Sequence, residues 1–464
     1  MENTNLDNLR GKPFLVRFQR PYHSKIPFIL TGFAVVSGFL LLAAVACHPT
    51  SLAVSEVLAT PGQLEYAPAI FGSPLEITPT PEPTPIPTLG PPLPPPTLVV
   101  AMPPIDFEAA RATAQAQGLE IAFVKIGFHR GPAGNANGFG DYLRKLNDAG
   151  VPFFVKSAAA EGPIYEAQLI MKENEAAGRF VDHTLVYREV GTEFEAPFYN
   201  LSLSPEEAAE VSWQINRDAV APELDKNYFW LETLNEPGRY GDDGQLQIER
   251  LGRFSLATAK LAVAEGYKYA AFSFSFGLPE KEDWEDPAML DFLRYAGEHP
   301  NQVAVALHEY SGTISSIQVP LPISEGYPYR VGRFQELFDV CDQYGIPRPT
   351  VLITEWGWEY NRVPDVNQAM LDINWASWLY AAYPQVKGAS IWYLGGGSQF
   401  GDIANQTQRL IAPMADYAVS HYYIIDPGIG QIDPSIFLPP GMSRILPEDR
   451  SAKATPAPRQ SILP

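Results

Sequence analysis

Eight apolar, β-prone runs recur along this chain with helical patterns between them, at 121–127, 152–156, 184–189, 228–234, 269–274, 303–309, 350–354 and 388–393. Their starts lie about 30 to 47 residues apart, room for one strand, one helix and two short loops. Few folds accept eight such units in succession. The pattern predicts an α/β protein built as a (β/α)₈ TIM barrel, in which each strand is followed by a helix that returns the chain to the start of a parallel neighbour. A doubly wound open sheet is the competing arrangement, but no glycine-rich phosphate turn follows the first run. Helical stretches are expected at 138–149, 245–265, 331–344 and 366–383, with one more at 107–117 closing the barrel bottom. Ser204-Pro205-Glu206-Glu207 opens another, offering an N-cap, a proline in the first turn and acids at the positive dipole end.

Outside that region the composition changes. A basic N-terminus (1–26, with Arg10, Lys12, Arg17, Arg20 and Lys25) precedes an apolar stretch at 27–47 about long enough to cross a bilayer. The positive-inside rule then puts the remainder of the chain on the outer side. The stretch ends Ala44-Val45-Ala46-Cys47, which resembles a bacterial lipoprotein cleavage box with Cys47 as the lipidated residue; an uncleaved signal anchor is the alternative. Residues 48–104 form a Pro/Thr-rich extracytoplasmic linker, expected to be an extended polyproline-like spacer. The catalytic-size domain is expected at 105–423, and a Pro-rich tail at 424–464. A formal charge of −20 opposes nucleic acid and anionic lipid as partners. The second cysteine, Cys341, falls in an amphipathic pattern and reads as a small core residue. Seven histidines show no metal-binding spacing, and no nucleotide, flavin or haem motif occurs, so no metal or cofactor is expected.

Two of the eight runs end in a carboxylate. Leu231-Glu232-Thr233-Leu234-Asn235-Glu236-Pro237 places Glu236 at the end of the fourth, and Val351-Leu352-Ile353-Thr354-Glu355-Trp356-Gly357 places Glu355 at the end of the seventh. The C-terminal mouth of a barrel strand is where such folds carry their chemistry. Two facing carboxylates are the minimum equipment for breaking a glycosidic bond.

With Asn-Glu on strand four and a second Glu on strand seven, the chain resembles the clan A glycoside hydrolases, the barrel enzymes that include cellulases, mannanases and β-glucosidases. The resemblance spans the barrel in architecture and a handful of residues in sequence. It implies a retaining mechanism with Glu236 as acid/base, its pKa raised by burial and by its partner's charge, and Glu355 as nucleophile. It further implies that Asn235 binds the sugar 2-hydroxyl and that Tyr310 hydrogen-bonds the nucleophile. In Ala306-Leu307-His308-Glu309-Tyr310, strand alternation puts His308 and Tyr310 on one face and Glu309 on the other. Trp392, on strand eight, matches the tryptophan that floors the sugar site. Trp356, Trp358, Tyr360 and Tyr240 are further rim aromatics that could form subsites or simply pack loops.

One departure stands out. The family places an arginine from strand two near the nucleophile, whereas here that strand ends Phe154-Val155-Lys156. Lys156, Arg130 and Arg188 remain open as substitutes. Glu193 and Glu195, after strand three, are either subsite acids or solvated. The expectation is thus a membrane-tethered O-glycoside hydrolase acting on extracellular poly- or oligosaccharide, with transglycosylation using the same residues. A non-catalytic carbohydrate-binding or cell-envelope barrel is the rival. Sugar, linkage and oligomeric state are not legible.

Overall fold

The computed structural model of the protein describes residues 92–439 apart from 132–134, 160–161, 238–246, 315–318, 360–361, 396–401 and 428–431. The apolar stretch 27–47, Cys47, Tyr240 and Tyr360 lie outside the described residues. Among those described, no helix is long and apolar enough to cross a membrane.

Eight parallel strands close into a barrel. They are β1 (Ile126–Arg130), β2 (Phe154–Ala158), β3 (Thr184–Arg188), β4 (Trp230–Glu232), β5 (Lys268–Phe274), β6 (Val303–Tyr310), β7 (Thr350–Gly357) and β8 (Val386–Leu394). The expected α/β barrel is therefore the fold observed. Helices follow the strands and cover them, including Phe139–Asp148, Pro205–Ala219, Ile248–Ala264, Phe334–Gln343 and Val366–Ala381. Ser204 caps Pro205–Ala219 as its sequence suggests, accepting the Glu207 amide while the Glu207 carboxylate accepts the Ser204 amide.

The first predicted strand straddles two elements. Glu120–Phe123 belongs to a three-stranded antiparallel sheet with Thr97–Val100 and His421–Ile425, and only from Ile126 does the chain enter the barrel. Residues expected in the linker and the tail are thus paired and packed. Trp378 donates its indole N–H to the Pro96 carbonyl, and Phe437, in the short helix Pro434–Phe437, is fully buried. The helix Phe107–Gln115 sets Phe107 edge-on against Phe123 and Tyr422 of this sheet. An apolar Pro-rich segment can satisfy its carbonyls at an edge and bury its rings, which composition alone hides.

The barrel interior is filled by Phe154, Val186, Trp230, Ala270, Ala304, Ala306 and Leu352. Large rings from β2 and β4 meet small residues from β5 and β6 in the lumen. Glycine makes room for Phe154. A Cβ at Gly127 would lie 1.8 Å from the Phe154 carbonyl oxygen, and one at Gly388 would lie 2.4 Å from its ring. Alternation carries the next inward positions one layer up, to Lys156, Arg188, Glu232 and His308.

The outward face of the strands meets the helices. Cys341 is fully buried there, as its pattern suggests, and burial pushes its thiol up to about 12. Trp356 and Trp358 are also fully buried in this layer, edge to face with each other, rather than on the rim. Glu309 points the same way, as alternation requires. It accepts the Tyr380 hydroxyl at 2.6 Å and the Gly332 amide at 2.9 Å. Burial raises its carboxyl to about 7, against the pull of those hydrogen bonds and of Arg333. The folded state therefore holds a proton that the unfolded chain releases near its ordinary value of 4.5. This contribution is complete below that value and is lost as pH rises towards about 7. Urea unfolding of Glu309→Gln at pH 5 and pH 8 should show a smaller loss of stability with rising pH than wild type. Equal losses would exclude Glu309 as the titrating group.

Candidate active site

Backbone irregularities aim the two carboxylates. In β7, Ile353 pairs with Leu307 but Glu355, not Thr354, pairs with His308, so Thr354 is an extra residue. Strict alternation from inward Leu352 would have turned Thr354 into the barrel and Glu355 out of it. The bulge reverses this and points Glu355 inward, opposite His308. A second bulge sits in β5, where Phe272 pairs with Ala306 and Phe274 with Leu307. The extra residue there is Ser273. Phe272 and Ser273 take φ of 75° and 51°, and the Phe272 ring packs outward on Trp284 and Phe292. The Ser273 carbonyl accepts the Glu236 amide at 2.9 Å. Glu236 does not end its strand as expected, because β4 stops at Glu232 and Glu236 follows four residues later with a φ of 46°. A non-glycine residue held in that region costs about 1–3 kcal/mol and survives where its surroundings over-determine it.

Glu236 and Glu355 face each other across His308. His308 Nδ1 lies 3.0 Å from Glu236 Oε1 and 3.5 Å from Glu355 Oε2, and the Tyr310 hydroxyl donates to Glu355 Oε2 at 2.9 Å. One oxygen of each carboxylate and one His308 nitrogen lie within 4.8 Å of one another. The Glu236 side chain is 38% exposed and that of Glu355 only 10%.

Positive charge collects on the far side of Glu355. Lys156 Nζ, from β2, and an Arg188 terminal nitrogen, from β3, lie 3.8 and 3.9 Å from Oε1. Of the three basic residues left open by the sequence, two together thus flank this oxygen. Arg130 is not among them, since it donates to the Gly131 and Leu394 carbonyls. His129 Nδ1, on β1, is a further 3.8 Å neighbour of Oε1. Burial, with Lys156, Arg188 and His308 nearby, holds His129 well below the usual histidine range, so it is neutral. Burial also raises the Tyr310 phenol, as do Glu355 and Glu236, which keeps it a donor.

The Glu236 carboxyl behaves otherwise than expected. Burial pushes it up, but the His308 hydrogen bond and charge, the Ser275 bond and Arg188 outweigh burial, and it sits below the usual carboxylate range. Glu195, on the helix Thr192–Tyr199 after β3, is half-buried and raised to about 7, chiefly by burial, within the field of Arg188 and Glu236. Glu193 is exposed and folds back over Gly191.

Trp392 is buried at the end of β8. A Cβ on Gly357 would lie 3.7 Å from its carbonyl oxygen and 3.8 Å from the Tyr310 ring, so both residues flank the end of β7. Asn235 is half-buried, and its Oδ1 has no hydrogen-bond partner among the described residues. The same holds for both ring nitrogens of His129, Nε2 of His308 and two guanidinium nitrogens of Arg188. Phe276, 43% exposed, stands 6.0 Å from the Tyr310 ring and supplies an aromatic face that sequence reading missed.

Glu236, His308 and Glu355 have the spacing to hold a cation. Lys156 and Arg188, within 4 Å of Glu355, already supply positive charge there, and a divalent ion would be repelled by them. The set is better suited to moving protons and stabilising a carboxylate than to binding metal.

No family model and no curated protein matches this chain. Among solved structures it is similar to a trimodular GH5_4 subfamily endoglucanase, at 11% identity and a TM-score of 0.31, over 64% of this chain and 62% of that one. This chain therefore spans less than two thirds of that protein. An endocellulase of the archaeon Pyrococcus horikoshii is similar at 14% identity and a TM-score of 0.32, over 63% and 93% of the two chains. So is the YdjI aldolase of Escherichia coli K12, at 8% identity and a TM-score of 0.28, over 67% and 94%. Likenesses this loose, with glycosidases beside an aldolase, carry no argument about activity.

Proposed function

We propose that the chain is a retaining O-glycoside hydrolase, a β-glycosidase or β-glycanase. It acts on poly- or oligosaccharide outside the cell, tethered through its N-terminal apolar segment. The observation that carries this reading is the 4.8 Å cluster of Glu236, His308 and Glu355. Retaining enzymes hold their carboxyl groups about 5–5.5 Å apart, whereas inverting ones need about 6.5–9.5 Å to admit a water. One oxygen of Glu236 lies within 4.8 Å of one oxygen of Glu355, which favours direct attack over an interposed water.

In the first step Glu355 attacks the anomeric carbon and the bond from that carbon to the leaving oxygen breaks. The leaving oxygen takes a proton from Glu236, which has to gain that proton before this step against the pull of His308 3.0 Å away. In the second step a water oxygen bonds to the anomeric carbon, Glu355 departs, and the water's proton returns to Glu236. Lys156, Arg188 and the Tyr310 hydroxyl balance the Glu355 charge as it leaves and returns. Asn235 offers its open Oδ1 and amide to a sugar hydroxyl, and Trp392 and Phe276 offer apolar faces to the ring's C–H bonds.

The reading is tested by assaying the purified chain on aryl β-glycosides and polysaccharides of gluco, manno, xylo and galacto configuration. Turnover of at least one series is expected. Binding of a glycan without turnover would favour the non-catalytic barrel instead. Once a substrate is known, Tyr310→Phe should lower kcat about 10- to 100-fold, the worth of a hydrogen bond to a charged group, with KM little changed. An unchanged kcat would remove Tyr310 from the machinery.

A further inference from the structure

Beneath the two facing carboxylates lies a third, Glu232, which no motif singles out. It is the last residue of β4, two positions above Trp230, and is wholly inaccessible to solvent. Its Oε1 lies 2.5 Å from Lys156 Nζ and 3.7 Å from Arg188 Nε. Those are the same two cations that stand 3.8 and 3.9 Å from Glu355 Oε1. Lys156 is as deeply buried as Glu232, so it cannot reach solvent or substrate. The cluster closes on itself: two cations, each placed between a buried carboxylate below and the reacting carboxylate above.

We infer that Glu232 is a positioning residue, an anchor that keeps Lys156 charged and holds Lys156 and Arg188 at their stand-off distance from Glu355. This rests on the reading of Glu355 as the nucleophile. A lysine buried without a counter-charge gives up its proton. Burial lowers Lys156 in this way, and Glu232 is the largest influence raising it again. The stand-off matters too. At 3.8 Å the cations balance the Glu355 charge without a direct hydrogen bond, leaving that oxygen free to attack carbon. Without Glu232, Lys156 would either lose its charge or swing onto Glu355, and both changes slow the first bond-forming step rather than weaken sugar binding.

The test uses the full chain with Glu232→Gln, which keeps shape and removes charge. Two readouts are taken: the titration of Lys156 by ¹³Cε NMR, which needs no substrate, and kcat and KM on the best aryl β-glycoside of the wild type. The expected result is a Lys156 titration moved to lower pH, with kcat down about 10- to 100-fold at nearly constant KM. A Lys156 titration that does not move overturns the inference whatever the activity. An unchanged kcat in the variant also overturns it. A moved titration in a chain whose wild type cleaves no glycoside would uphold the anchor and overturn the glycosidase reading. Should Glu232→Gln fail to fold, Glu232→Gln/Lys156→Met removes both buried charges, and such a pair replacement is commonly tolerated. Wild-type kcat in that double variant would overturn the inference, and a loss at constant KM would support it.

Discussion

Glu355→Ala is expected to lower kcat/KM on the order of 10⁴- to 10⁶-fold, the scale seen when a covalent nucleophile is removed. The loss follows from position. Glu355 is the one carboxylate that the β7 bulge turns into the lumen, with Tyr310 on one oxygen and Lys156, Arg188 and His129 about the other. Nothing nearby can replace it, since Glu232 is sealed below and Glu236 faces it from the opposite wall. Truncation to alanine opens a space beside the cations in which a small anion can sit. Azide should therefore restore turnover of an activated aryl β-glycoside and release the α-glycosyl azide, by one direct displacement. Rescue giving the β-azide would mean that Glu355 is not the attacking group.

Glu236→Ala should divide substrates by leaving group. For those that need protonation the loss is expected to be about 10²- to 10⁴-fold, the usual worth of a positioned general acid. For a dinitrophenyl glycoside the first step should hardly slow, and the glycosyl-enzyme should accumulate because no base activates water. Azide then accelerates release and gives the β-glycosyl azide. Equal losses on good and poor leaving groups would argue against Glu236 as the acid/base. His308→Ala bears on the same proton, because His308 Nδ1 is the group that holds Glu236 below the usual range.

Much of the fold is legible in the sequence because the strand signals are strong and local. Apolar runs of β-branched and aromatic residues mark seven of the eight strands to within a few residues. The first is misplaced because Glu120–Phe123 and Ile126–Arg130 form two short strands almost without a break, and only tertiary pairing tells one from the other. The packed ends of the Pro-rich segments are illegible for the same reason: Pro96 is ordered by Trp378, almost three hundred residues away. Glu236, Glu355, His308 and Tyr310 are found by motif and by alternation along β6, and they do meet. How Glu355 comes to face inward is not legible, since a bulge reverses alternation and nothing in Ile353-Thr354-Glu355 announces one. Trp356 and Trp358, bracketing Gly357, read as rim residues until that reversal puts them among the helices.

Glu232 carries a signal that sequence reading can use. An acid two residues after Trp230 in an apolar run sits on the inward face, and a buried acid needs a cation at the matching height. Lys156, two residues after Phe154 on β2, is that cation. The Glu236 titration has no such signal. Its direction depends on whether His308, 72 positions away, points Nδ1 at it, and burial alone would have raised it.

The most direct test of the account is the configuration of the first product, followed by ¹H NMR as the wild-type chain hydrolyses a β-glycoside, before mutarotation mixes the anomers. A site with its carboxylates this close predicts the β-anomer first, with the α-anomer appearing only at the rate of spontaneous mutarotation. The α-anomer appearing first would mean that water attacks directly across the site. The separation of Glu236 and Glu355 would then not be what sets the chemistry, and the double-displacement account would fail.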